Sequence, residues 1–226
     1  MSDATEPPSS SPPLKAWRFA RLLLRPALAR KLGTLVTDGY LAETGWVRSV
    51  IAHELVDAEG GAVPWMTQPF LDFLRPRSQP HWRVFEYGAG ASTLFFARRT
   101  AAVLAVEHDG TFATELSARL PAQARVIVWP ESSAEYTGAV AQMRPPPHLV
   151  CVDGRNRVRC VAAALPCLDP AGVLVLDDAE RPEYAAAVVQ LRQAGFRSVE
   201  FHGLSPGQVR SKCTAVFYRA GNILGL

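Results

Sequence analysis

The residues best suited to chemistry fall in three short segments of the 226-residue chain. The first is VFEYGAGAST, residues 84–93, where Gly88-x-Gly90 follows an apolar run and Ser92-Thr93 opens a helical stretch. Glycines let a backbone turn tightly and approach a ligand closely. Free N–H groups at a helix start favour an anion or carboxylate, and Ser92 or Thr93 suits the N-cap. Glu86 stands two residues before the first glycine, and Glu107 ends the next apolar run, 17 residues after Gly90. A carboxylate at that strand end can accept both ribose hydroxyls of an adenosine. The place where a dinucleotide fold carries its third glycine is Thr93, and the chain has no Gly-Lys-Ser or Gly-Lys-Thr phosphate loop. The plain alternative, a tight turn that holds nothing, leaves the acids at 86 and 107 unexplained.

The second and third segments are LVCVDGRNR (149–157) and LDPAGVLVLDDAER (168–181), which end strands in Asp153 and in Asp177-Asp178. In an open parallel sheet, ligands bind at the carboxyl ends of the strands, so these three carboxylates are expected to converge. Two readings follow. A divalent cation such as Mg2+ relieves their repulsion and lowers the pKa of a bound substrate hydroxyl. Alternatively, Asp177 caps a turn and Asp178 pairs with Arg155, Arg157 or Arg181. His202, near the end of the sixth apolar run and before GLSPG, is the candidate general base, set against an ordinary strand-end histidine. Arg155, Arg157, Trp65 and Gln68 are candidates for an acceptor pocket, or for surface charge and packing.

Positioning these residues requires a regular scaffold. Short apolar runs at 83–87, 102–107, 125–129, 148–152 and 173–177 alternate with helical stretches at 92–101, 110–119, 133–143, 156–168 and 182–194. That alternation predicts a doubly wound α/β sheet, mostly parallel and covered on both faces. The runs 197–202 and 213–219 flank a Gly/Pro loop and predict an antiparallel hairpin at the edge, making seven strands. Upstream, residues 1–13 read as a disordered Pro/Ser tail. Residues 14–38 read as a helix interrupted at Pro26, and 43–57 as a further helix. AEGGAVPWMTQP reads as a turn-rich connector. The expected division is 1–13 tail, 14–62 helical extension and 63–226 main domain.

EYGAGAST, VLAVEHD (103–109), LVCVDGRNR and LDPAGVLVLDDAER, in this order and spacing, resemble the class I S-adenosylmethionine-dependent methyltransferase family over about residues 63–219. PWMTQPF (64–70) is similar to a segment of a bacterial branch associated with glycan gene clusters. The resemblance implies the Rossmann-like methyltransferase fold and S-adenosylmethionine as cofactor. It places Glu86, Tyr87, Gly88, Gly90, Ser92 and Thr93 at the cofactor's methionine end, Glu107 on the ribose, His108 beside the adenosine and Ser132 beside the adenine. It also implies O-methylation of a sugar or related polyhydroxy small molecule. Asp153 and His202 are then the catalytic residues, and Asp153, Asp177 and Asp178 a Mg2+ set. The catechol-type branch often has Asp-Asn where this chain has Asp177-Asp178, and the sugar-modifying branch also has Asp-Asp.

Composition bounds these readings. The formal charge is +3, with 48% hydrophobic and 20% charged residues, which excludes a wholly disordered or fibrous chain. Residues 14–31 hold six Lys or Arg and no acid, interleaved with Trp17, Phe19, Leu22, Leu23 and Leu24. That pattern suits either a peripheral membrane contact or a helix packed with snorkelling arginines. The rest is near neutral, so no extended nucleic-acid surface is expected. Cys151, Cys160, Cys167 and Cys213 form neither a zinc motif nor a disulfide framework and read as free thiols in a cytoplasmic protein. Competing functions are an aminopropyltransferase on a related fold, opposed by the basic DGRNR segment, and a non-catalytic cofactor-binding or scaffold subunit. A nucleic-acid methyltransferase lacks its Asn/Asp-Pro-Pro-aromatic type of motif here.

Overall fold

The structure is a computed structural model that describes Arg21 and residues 24–226. The tail at 1–13 and, of the basic stretch at 14–31, residues 14–20, 22 and 23 lie outside the described residues. The chain divides after Glu43 into two compact units. The first contains α1 (Pro26–Thr37) and α2 (Tyr40–Glu43). Pro26 occupies the first turn of α1, where a missing N–H costs nothing, and the break falls just before it.

The second unit holds the sheet, and residues 44–62 belong with it. Its strands are β1 (Arg83–Tyr87), β2 (Ala102–Glu107), β3 (Ala124–Val128), β4 (Leu149–Val152), β5 (Val173–Asp177), β6 (Arg197–Gly203) and β7 (Lys212–Tyr218). Their order is β3-β2-β1-β4-β5-β7-β6. β1 to β5 run parallel, and β7 is antiparallel to both β5 and β6. This is the doubly wound, seven-stranded sheet expected from the alternating pattern. The hairpin is closed with its second strand inserted against β5, which leaves β6 at the edge.

Side-chain alternation assigns two cores. Phe85, Tyr87, Val150, Val152, Leu174 and Leu176 point to one face. There they meet α8 (Arg157–Ala164) and α9 (Ala185–Gln193) through Cys160, Val161, Ala187 and Leu191. Val84, Val103, Leu149, Cys151, Val173 and Val175 point to the other face. They pack on α4 (Gln68–Leu74) and α5 (Ala91–Ala97), which contribute Phe70, Leu71, Phe95 and Phe96. The same parity puts Glu86, Asp177, Thr214 and Lys212 on the α4/α5 side. Two further helices, α6 (Gly110–Ser117) and α7 (Ala134–Gly138), follow β2 and β3. The four cysteines are free thiols, and among the described residues no helix is long and apolar enough to cross a membrane.

Two expectations are corrected. The helix expected over 43–57 is only α3 (Trp46–Ala52). His53 ends it in the left-handed region at φ 54°, and Val56 then bridges Ala62 across a turn in which the Asp57 carboxylate accepts from Gly61 N–H. The connector expected at 58–69 runs into α4, with Pro69 in its first turn and Phe70, Leu71 and Leu74 fully buried. Its entry is pinned to the hairpin: Thr67 N–H donates to Thr214 Oγ1 at 3.0 Å and Thr67 Oγ1 to the Phe201 carbonyl at 3.0 Å.

Candidate active site

Strand order reverses between β1 and β4, and the gap above that switch point is where an open α/β sheet receives a ligand. A cavity of about 580 Å³ lies there. One side is formed by Gly88 to Ser92, Glu107 and His108; the other by Asp153 to Arg157, Arg181 and Tyr184, with Trp65 at the margin.

The first side is built from backbone. Gly88 has φ 88°, and a Cβ on it would sit 2.9 Å from Gly154 Cα, so the β1 loop and the β4 end touch through two glycines. Gly90 differs: its φ is 168°, an extended value, and a Cβ there would meet no atom within 4 Å. The fold does not require glycine at 90, and that open space is free for a ligand. Glu107 clamps the loop. Its Oε2 accepts from Ala89 N–H at 3.1 Å, and its Oε1 accepts from His108 N–H at 2.8 Å and Asp109 N–H at 3.0 Å. His108 Nδ1 lies 2.6 Å from the same Oε1. The Oε2 side keeps lone-pair capacity toward the cavity.

Glu86 is 1% exposed, and its Oε2 has no hydrogen-bond partner. Burial pushes its carboxyl up to about 7, while the Ser92 and Thr93 hydroxyls act in the opposite direction. A buried carboxylate oxygen without a donor is costly, and a cationic ligand group would satisfy it. Thr93 braces the loop from within, its hydroxyl accepting from Gly90 N–H at 3.0 Å. Ser92 reaches the cavity.

Three expected site residues are placed elsewhere. Tyr87 follows strand parity into the opposite core, where its hydroxyl donates to the Thr137 carbonyl at 2.6 Å and burial raises its pKa. Ser132 is exposed and outside the cavity wall, on a loop whose Ser133 caps α7. His202 sits on the edge strand, 60% exposed, 3.2 Å from Glu200. β7 separates it from β5, so it does not line the cavity. With Glu200 and Cys213 it forms a separate group of potential ligands.

The second side is built from charged side chains. Asp153, Asp177 and Asp178 do converge, with ligand oxygens within 4.8 Å of one another. Asp178 turns back at φ 52°. Three cations face them. Arg157, 7% exposed, sends Nη2 to Asp153 Oδ1 at 2.9 Å, Nη1 to the Asp177 carbonyl at 2.5 Å and Nε to the Gly154 carbonyl at 3.1 Å. Arg181 meets Asp178 Oδ2 at 2.9 Å. Lys212 Nζ contacts Asp177 Oδ2 and stands 3.2 Å from Asp178 Oδ1. Thr214 donates to Asp177 Oδ1 at 2.7 Å. Burial opposes the charge on Lys212, but Asp177 and its neighbours outweigh burial and raise its pKa. Burial and the Asp177 charge together push the Asp153 carboxyl well above the usual carboxylate range. Of the pairings foreseen for Asp178, those with Arg157 and Arg181 form; Arg155 instead lies 3.5 Å from Glu131.

Lys212 and Thr214 were not legible as site residues. The signal lay in the ladder: Thr214 pairs with Asp177 in register, and Lys212 is two residues away on the same face.

No protein-family model and no curated protein matches the chain by sequence. Many solved structures are similar to it, two of them as follows. One is a precorrin-6y C5,15-methyltransferase from Geobacter metallireducens, with TM-score 0.52 and 14% identity over 67% of this chain and 88% of that one. The other is an rRNA methylase from Streptococcus thermophilus, with TM-score 0.51 and 16% identity over 67% of this chain and 96% of that one. At these identities the likeness is one of fold, and it establishes that the sheet and its flanking helices form the Rossmann-like methyltransferase fold.

Proposed function

We propose that this protein is an S-adenosylmethionine-dependent methyltransferase acting on a hydroxyl of a sugar-like, polyhydroxy small molecule. The observation that carries the reading is one cavity at the switch point with a glycine loop on one wall and a half-open aspartate on the other, and an unsatisfied carboxylate, Glu86, buried two residues before Gly88 rather than in the wall itself. The residues present fit the cofactor. Gly90 leaves space that a Cβ would fill, Glu86 offers a buried anion to an ammonium group, and Glu107 offers carboxylate capacity to ribose hydroxyls. When bound, S-adenosylmethionine supplies an electrophilic methyl group.

The chain's own residues orient the acceptor and manage its proton. Asp153 is 30% exposed on its side chain and lines the cavity. Its raised pKa makes it a stronger base than an ordinary carboxylate, suited to take the proton of an acceptor hydroxyl. Arg157 fixes the carboxylate by holding Oδ1, which leaves Oδ2 for the acceptor. The arginines at 155, 157 and 181 along the wall disfavour a polyamine, and with it the aminopropyl-transfer reading.

The test is transfer of a labelled methyl group from S-adenosylmethionine to sugars and nucleotide sugars. Asp153→Asn should lower turnover by about 10²- to 10⁴-fold and leave S-adenosylhomocysteine affinity nearly unchanged. Turnover by this variant at the wild-type rate would remove Asp153 from the mechanism. Cofactor binding with no transfer to any hydroxyl compound would favour the non-catalytic reading.

A further inference from the structure

Three carboxylates at the ends of β4 and β5 have the donor chemistry of a Mg2+ site, but the side chains around them do not fit a metal. Mg2+ wants near-octahedral oxygen ligands at about 2.0–2.1 Å. Both oxygens of Asp177 are taken, by Lys212 and Thr214. Asp178 Oδ2 faces Arg157 and Arg181, and its Oδ1, buried and without a hydrogen bond, has Lys212 Nζ 3.2 Å away. Asp153 Oδ1 belongs to Arg157. Only one carboxylate oxygen of the cluster is left without a cation or hydroxyl against it. A divalent ion there would also stand beside a buried ammonium.

We propose that Lys212 is the resident cation of this centre: its ammonium takes the place between Asp177 and Asp178 that a divalent metal would need, and the centre binds no such metal. The position is set by the fold. Asp177 pairs with Thr214 across the β5–β7 ladder, and two residues earlier on the same face the first residue of β7 turns its side chain onto both aspartates. Lys212 is 16% exposed on its side chain, and its Nζ lies 5.9 Å from the ring centre of Trp65, so it is enclosed between the acids and the cavity margin. Three acids against three cations balance the cluster without a metal. Lys212 acts through the aspartates and is a positioning residue. The inference deepens the methyltransferase reading by making its acceptor end metal-free.

The experiment is a Mn2+ titration of the full chain, following the free-ion signal by electron paramagnetic resonance, with Mg2+ as competitor. It needs no turnover, so it can fail independently of the methyltransferase reading. Wild type should show no saturable Mn2+ binding that depends on Asp177. Lys212→Ala uncovers the three carboxylates and should gain one Mn2+ site, displaced by Mg2+ and lost again when Asp177→Asn is added. The same variant should melt below wild type and be raised back by Mn2+, whereas wild type should not respond. A merely structural lysine would not create a metal site on removal. Saturable binding in wild type that vanishes in Asp177→Asn overturns the proposal. So does a folded Lys212→Ala protein that gains no site. If Lys212→Ala does not fold, Lys212→Met replaces it; if neither folds, the wild-type titration with its Asp177→Asn control decides.

Discussion

The two sides of the cavity are made differently. Toward β1 and β2 the wall is backbone: two glycines, a row of N–H groups and one glutamate that ties them together. Toward β4 and β5 it is charged side chains, Asp153, Arg155, Arg157 and Arg181, and a buried lattice of Asp177, Asp178 and Lys212 backs them from outside the cavity lining. The backbone side tolerates almost no change of shape at Gly88, which abuts Gly154 of the opposite side, yet leaves room at Gly90. The charged side can change its ligand chemistry through single side chains while the strands stay in place. A cofactor common to many reactions suits the first kind of wall, and an acceptor that varies suits the second.

Breaking the charged lattice should cost most. Arg157→Met removes a buried guanidinium held by the Asp153 and Asp178 carboxylates and three carbonyls, and should destabilise the fold by about 3–5 kcal/mol. Thermal or urea unfolding would show it, and a loss of less than about 1 kcal/mol would mean that the network is exchangeable surface charge. Gly88→Ala attacks the backbone side. It forces a side chain into φ 88° and toward Gly154, costing about 1–3 kcal/mol. Gly90→Ala sharpens the contrast: stability should stay within about 0.5 kcal/mol while S-adenosylhomocysteine affinity falls. Equal effects of the two alanines on stability would dissolve the distinction between a structural and a ligand-facing glycine.

Protonation separates the sides further. The Glu86 carboxyl, raised from 4.5 to about 7 by burial, holds its proton in the folded protein at pH values where the unfolded chain has lost it. Its contribution to stability therefore declines as pH rises from 4.5 through 7 and is level above that. A ligand ammonium beside it favours the ionised form. Below pH 7, S-adenosylhomocysteine binding should release a proton and weaken by up to about tenfold per pH unit. Glu86→Gln should flatten that profile. The smallest effect is expected at His202→Ala: an exposed edge-strand residue outside the cavity should change stability by less than about 0.5 kcal/mol and leave turnover intact.

The backbone side was the more legible of the two. The seven strands fall within a residue of the runs read from the sequence, and β1, β2, β4 and β5 show why: a strand covered on both faces needs a continuous apolar run. Glu86, Gly88, Gly90 and Glu107 are local signals at strand ends, and the fold leaves them there. Tyr87 was misplaced because a motif read as a string ignores parity: the residue after Glu86 must face the other core. α4 was hidden because Pro64 and Pro69 read as breakers, although a proline in a first turn permits a helix. On the charged side, the three aspartates were visible as strand ends. Lys212 was not, because a hairpin strand taken to begin at Cys213 omits the residue that the Asp177–Thr214 register brings into the cluster.

The central claim, that one cavity joins a cofactor end to an acceptor end, is tested most directly by calorimetry of S-adenosylhomocysteine with wild type and with Glu107→Ala. Saturable binding at one site in wild type, weakened in the variant, is the predicted result. No heat of binding in wild type across neutral pH would contradict the claim and leave the glycine loop as a turn between β1 and α5.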